Sequence, residues 1–320
     1  MKKDIYTNNL IECADVFADI ANVNLLSEQM QIHDFELEDL KTDFSYRELD
    51  GEPRKLFRDT FKKVKKDDYY IAMIGYESQT GICNTMPVRD MGYNYVAYQD
   101  QIHRIVAQNR KDKREAYSKV IHDDQKLLPV LTVVLYFGKE EWKSPLSLMD
   151  ILKIPKGQET FWENEIQNHR IHVIPMLHQP EELRKKYQSD FRIVADYLAC
   201  YDTDKENIMR QLRKDNQKLI HVEQTLDMLS AFSGDNRFKE IKSYYENMND
   251  EEKGERNTMC ILLDAVEEEG VKKGIERGIE QGIEQVTMTM IQKQISDNEI
   301  ISLTGITEEK LAALKKQIGI

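Results

Sequence analysis

Two acids and an amide, Asp59, Glu77 and Gln79, carry the spacing most suggestive of chemistry. Thr60 to Lys66 reads as a strand of mixed apolar and basic residues, and Tyr69 to Tyr76 (YYIAMIGY) as a second, aromatic-rich one. Lys66-Asp67-Asp68 between them is turn-prone. A turn centred near Asp68 sets residue 59 opposite residue 77, and antiparallel partners share a face. Gln79 returns to that face two residues on. Two close carboxylates repel unless a cation lies between them. Mg²⁺ suits such a seat, because it binds through one or two carboxylates plus waters and phosphate oxygens; Mn²⁺ is the alternative ion. The plainer alternative is an E-x-Q run on the wet face of a half-buried strand. A one-residue slip in register would turn Asp59 to the opposite face.

Around this hairpin the residues Arg58-Asp59, Glu77-Ser78-Gln79, Met86-Pro87-Val88-Arg89 and Tyr93 follow in order. A second block runs LPVLTVVLYFG from Leu128 to Gly138, then Trp142 and Pro145-Leu146-Ser147-Leu148. The tail carries GIERGIEQGIEQ. In motif order and spacing the chain resembles the recombination-promoting nuclease (Rpn) family, also called YhgA-like transposases, of the PD-(D/E)XK nuclease superfamily. The resemblance implies a restriction-endonuclease-like α/β fold, a mixed sheet flanked by helices and followed by a helical C-terminal region. It implies a Mg²⁺-dependent DNA endonuclease that hydrolyses phosphodiester bonds and is linked to DNA recombination or transposition.

On that reading Asp59 and Glu77 hold the metal, with the Ser78 backbone carbonyl completing the set, and Asp59, Glu77 and Gln79 form the catalytic group. Gln79 stands where the wider superfamily places a lysine. Glutamine orients only by hydrogen bonds, so the general base is left unnamed. Asp15, on an opening helix with a loose F-A-D-type match, is a candidate to approach the metal; a solvent-facing acid is the alternative. Arg89 is a candidate partner for the carboxylates or for a phosphate, against a plain surface salt bridge. Two rivals stand beside the enzyme. One is a catalytically inert DNA-binding protein on a nuclease scaffold, marked by a cluster closed by Arg58 or Arg89. The other is a transposition accessory factor assembled through its tail.

The net charge of −12 opposes phosphate binding taken over the whole chain. Its distribution is uneven. Lys62, Lys63 and Lys65 lie in the hairpin as candidate DNA contacts, and Arg104, Arg110, Lys111, Lys113 and Arg114 lie further on. Such lysines also serve simply to solubilise an edge hairpin. With 40% hydrophobic and 32% charged residues the composition is that of a soluble protein. No apolar run is long enough to span a membrane and no signal peptide is read, so a cytoplasmic protein is expected. The four cysteines form no C-x-x-C and read as reduced structural thiols. His169 and His172 lack a ligand pattern beside them.

The expected organisation is a nuclease-like domain over 1–178, a helical extension over 179–255 and a helical tail over 256–320. Met91, Tyr95, Tyr98, Ile102 and Ile105 predict the apolar face of a helix over Met86 to Ala107. Leu127 to Phe137 reads as a strand covered on both faces, and Ile171 to Leu177 as another. In the tail Gly270, Gly274, Gly278 and Gly282 recur every four residues beside Val271, Ile275, Ile279 and Ile283. That repeat reads either as a homodimer contact or as a solvated linker. Ser296 to Leu311 has helix-turn-helix spacing, with Gly305 at the turn, and reads either as a DNA-binding module or as a structural helical hairpin.

Overall fold

Seven strands and thirteen helices make up the described residues of the computed structural model, which are 2–47, 53–57, 59–66, 69–112, 121–177, 179–200 and 205–318. The strands are β1 (Leu37–Asp39), β2 (Asp43–Arg47), β3 (Pro53–Phe57), β4 (Thr60–Lys66), β5 (Tyr69–Gln79), β6 (Val130–Tyr136) and β7 (His172–Pro175). The helices are α1 (Lys2–Ile11), α2 (Ala14–Asn24), α3 (Met86–Lys111), α4 (Glu159–Glu165), α5 (Glu181–Arg184), α6 (Phe191–Cys200) and α7 (Lys205–Leu212). They continue as α8 (Val222–Ser233), α9 (Arg237–Glu246), α10 (Asp250–Glu255), α11 (Met259–Gln292), α12 (Asp297–Thr304) and α13 (Glu308–Ile318). The fold is mixed α/β.

One sheet has the order β1-β4-β5-β6-β7, and β2 and β3 form a separate two-stranded ribbon. β1, β4 and β5 run antiparallel to their neighbours; β5, β6 and β7 are parallel. The parallel β5–β6 pair needs a crossover, and α3 supplies it. From sequence, residues 27–50 read as a polar connection anchored by Leu37, Leu40 and Phe44; the structure places β1 and β2 there, with β3 following. Their alternation is short and charged, which leaves little apolar signal.

Alternating side chains divide the sheet between two cores. Ile74, Tyr76, Val133 and Leu135 face α1, α2, α6 and α8. Met73, Phe61 and Val134 face α3 with its Met86, Tyr93 and Ala97. β6 is apolar almost throughout because both of its faces are covered. Tyr76 is fully buried, its ring centroid 4.4 Å from that of Phe17, and its hydroxyl donates to the Phe17 carbonyl at 3.1 Å. Burying an apolar side chain of this size stabilises by about 1.5–3 kcal/mol.

The larger core runs unbroken from α1 through the sheet to α9 and the start of α11. It therefore crosses the expected boundary near residue 178. A separate small cluster, Ile291, Ile300, Ile306, Leu311 and Leu314, joins the end of α11 to α12 and α13. Gly305 closes α12 in the left-handed conformation (φ 69°) that L side chains disfavour. Residues 207–232, whose apolar spacing is helical throughout, are divided between α7 and α8. The stretch Ser144 to Ile154 holds a 3-10 turn, Met149–Ile151, and an isolated bridge from Ser147 to Arg170, with no α-helix.

Candidate active site at the end of the β4–β5 hairpin

The β4–β5 register carries Asp59 to the level of Glu77. Thr60 lies opposite Tyr76, Phe61 opposite Gly75 and Lys62 opposite Ile74. One step beyond Thr60, Asp59 sits in a bend, and its Oδ2 accepts the Ser78 backbone N–H at 2.7 Å. The cause is strand alternation. Gln79 turns its carbonyl toward β6, where it accepts from the Phe137 amide at 2.7 Å. Ser78 therefore points its backbone groups toward β4, which has ended. The Asp59 carboxylate takes the place of the missing rung.

Glu77 projects from the opposite side of the strand to Tyr76, toward α3, and is 3% exposed. Its Oε1 accepts from Gln79 Nε2 at 3.0 Å and from an Arg89 guanidinium nitrogen at 2.5 Å. The same Arg89 nitrogen donates to the Tyr93 hydroxyl at 2.8 Å. Arg89 and Tyr93 are one turn apart on α3 and so meet on one flank of the helix. Pro87 in the first turn of α3 costs no hydrogen bond there. A buried carboxylate is tolerated because a cation and an amide answer it.

Electrostatics follow from that pair. Burial works against the charged guanidinium of Arg89, but the Glu77 charge outweighs it and raises the Arg89 pKa above its ordinary value. Burial, then the Glu77 charge, push the Tyr93 phenol up. Cys83 is held below the usual thiol range: burial opposes this, but bonding to Thr85 and the nearby Arg89 prevail.

The structure thus gathers Asp59, Glu77, Ser78, Gln79 and Arg89 at one end of two adjacent strands. It does not bring Asp15 there. Asp15 lies on α2, which packs on the Tyr76 face of the sheet, and its Oδ1 is 2.7 Å from His221 Nε2 on the far helical layer. Nor do the three lysines make one basic face. Lys62 is buried, paired with Asp39 of β1 and 5.6 Å from the Phe17 ring centroid. Lys63 points to the other face, its ammonium 3.3 Å from the Tyr70 ring centroid. Lys65 is exposed. Strand alternation makes this split inevitable for neighbours in sequence. Arg58, Lys113 and Arg114 lie outside the described residues.

The donor set suits Mg²⁺ or Mn²⁺ in kind: two carboxylates, with the Ser78 carbonyl on the same strand edge as the amide that binds Asp59. One donor is already engaged, since Glu77 Oε1 holds Arg89. Among the described residues no group of three or more His, Cys, Asp or Glu is arranged to hold a metal ion.

A second polar pair was not anticipated. Asp90, buried on the inner side of α3, lies 2.5 Å from His169 Nε2 and accepts from Asn94 Nδ2 at 3.3 Å. Asn94 in turn accepts from the Thr132 hydroxyl at 2.9 Å. The signal was available: Met86, Asp90, Tyr93 and Ala97 share helical spacing, and an acid in that series needs a partner. No family model, curated protein or solved structure matches the chain.

Proposed function

We propose that the chain is a metal-dependent DNA endonuclease of the Rpn kind, hydrolysing phosphodiester bonds in recombination or transposition. The observation that supports it most is the register of β4 and β5, which sets Asp59 level with Glu77 while Gln79 hydrogen-bonds to Glu77.

Asp59 and Glu77 would hold Mg²⁺ or Mn²⁺, with the Ser78 carbonyl beside them. When bound, the ion polarises a scissile phosphate and acidifies a water. Asp59 is held in place by the Ser78 amide, whose N–H its Oδ2 accepts at 2.7 Å. Gln79, half exposed beside Glu77, has amide groups to orient a water by hydrogen bonds. Arg89 is placed to attract a phosphate. Lys63 and Lys65 are the hairpin lysines available to a DNA backbone; Lys62 is withdrawn by burial.

The expected partners are double-stranded DNA and a second copy of the chain through the tail. For the second, Val271, Ile275 and Ile279 on α11 remain 58%, 59% and 59% exposed at four-residue spacing. No helix among the described residues is long and apolar enough to cross a membrane. A cytoplasmic location is part of the proposal.

The inert-scaffold reading is favoured by one observation, the Arg89–Glu77 ion pair. Incubating supercoiled plasmid with purified protein, Mg²⁺ or EDTA, and Glu77→Gln in parallel separates the two. Metal-dependent nicking lost in the variant supports the nuclease. Nicking that is equal in both proteins, or absent from both, sinks it.

A further inference from the structure

Arg89 occupies the position that a metal bound to Glu77 would contest. Its guanidinium lies 2.5 Å from Glu77 Oε1, and a cation touching that oxygen would stand within a few ångströms of a second positive charge. The two cannot share the oxygen at low cost in a pocket where Glu77 is 3% exposed. Yet the arginine is not locked in. Its side chain is 38% exposed, and one nitrogen makes both the Glu77 and the Tyr93 contacts. A guanidinium has five N–H donors in a fork that matches a phosphate bidentately.

We propose that Arg89 is an exchangeable counter-ion. It neutralises Glu77 while the metal is absent and transfers to a backbone phosphate when DNA arrives, leaving Glu77 to the metal. This rests on the nuclease reading of the same site and adds to it a coupling between DNA and metal. Linkage makes the coupling reciprocal: DNA raises the affinity for metal by the factor that metal raises the affinity for DNA. Metal loading is then favoured about tenfold on protein already on its substrate.

The test is calorimetric titration of the full chain with Mn²⁺, with and without a short duplex. Phosphorothioate linkages in the duplex keep its charge and slow its hydrolysis. Wild type, Arg89→Gln, Arg89→Lys and Glu77→Gln are compared. Arg89→Gln is expected to bind Mn²⁺ about tenfold more tightly than wild type in the absence of DNA. Duplex should tighten wild type by about tenfold and Arg89→Gln by less than about twofold. Arg89→Lys, still cationic but lacking the fork, should fall between. If Arg89→Gln folds and binds no more tightly than wild type, while Glu77→Gln binds more weakly, the exchange is wrong and the metal seat stands. If Glu77→Gln binds as well as wild type, the seat itself is wrong, and the nuclease reading goes with it. Should Arg89→Gln fail to fold, the wild-type arms still decide: no effect of duplex on Mn²⁺ affinity overturns the exchange.

Discussion

Asp59 and Ser78 meet where the β4–β5 ladder runs out, the carboxylate accepting at 2.7 Å the amide hydrogen that another residue of β4 would have bound. This contact fixes the bend before β4 as well as one of the two candidate metal ligands. Removing it exposes a strand end and leaves a backbone donor to water. Asp59→Ala is expected to cost about 1–2 kcal/mol, the range for a hydrogen bond to a charged acceptor that is only partly buried. Urea unfolding measures the loss, and faster hydrogen exchange at the Ser78 amide locates it. An unchanged exchange rate there would count against the contact.

Glu77 has a different balance. Its carboxylate is almost wholly buried and ion-paired. Its loss leaves the Arg89 guanidinium to solvent on one side only. Glu77→Ala should therefore destabilise by about 2–3 kcal/mol, below the range for a fully buried pair because Arg89 is partly exposed. Glu77→Gln keeps the volume and should cost less. Plasmid nicking should be lost in both, so stability and activity separate between the two variants.

The Asp15–His221 pair predicts a pH dependence unrelated to the candidate site. The Asp15 hydrogen bond, then Cys13, raise the His221 pKa to about 10 from an ordinary 6.5, against an opposing effect of burial. A raised folded value means that the contribution is complete below pH 6.5 and is lost as pH climbs through about 10. Wild type should lose about 1 kcal/mol relative to His221→Gln over that window, a figure reduced because both groups are partly open to solvent. Thermal melts of the two proteins across the window give the difference directly. Parallel curves would remove the ion pair from the account of how α2 is held to α8.

The tail glycines make opposite predictions for a monomer and an assembly. A Cβ added at Gly274 or Gly278 meets nothing within 4 Å. Alanine there should stabilise α11 by about 1 kcal/mol per site, since glycine is the poorer helix former. If a second chain packs on that stripe, the same methyl groups would hold the helices apart. Gly274→Ala with Gly278→Ala should raise helicity by circular dichroism. Light scattering then reports whether a dimer present in wild type is lost.

Much of the hairpin was legible from period-two alternation, but the level of Asp59 with Glu77 also depends on a shift the sequence does not advertise. The pairing of Lys66 with Tyr69, carried straight on, would set Asp59 opposite Tyr76, and the bulge between Val64 and Lys65 moves it to Glu77. The face of α3 was not legible. Apolar spacing selected Met91, Tyr95, Tyr98, Ile102 and Ile105 for burial; Tyr98, Ile102 and Ile105 are half-buried, but Met91 and Tyr95 are exposed, and Asp90, Gln101 and Asn109 are buried instead. Each inward polar group has a specific answer: His169 for Asp90, the Leu128 backbone for Gln101 and Gln125 for Asn109. Those partners are distant in sequence or lie in loops, so hydropathy alone cannot register them. The Arg89–Glu77 pairing was foreseen as one of two options because both residue types were visible. The Lys62–Asp39 pair was missed along with β1, a three-residue edge strand too short to show periodicity.

Between Val64 and Lys65 the ladder shifts, so that Val64 faces Ala72 while Lys65 faces Tyr70. The irregularity separates the hairpin into two segments with independent registration. Insertions or deletions beyond it, toward the Lys66–Tyr69 end of the hairpin, can be absorbed by moving or erasing the bulge, and the alignment at Thr60 and Tyr76 survives them. A single deletion between Thr60 and Val64 has no such buffer and would rotate Asp59 away from Glu77. Drift in chain length is thus tolerated at the tip of the hairpin and forbidden at its base.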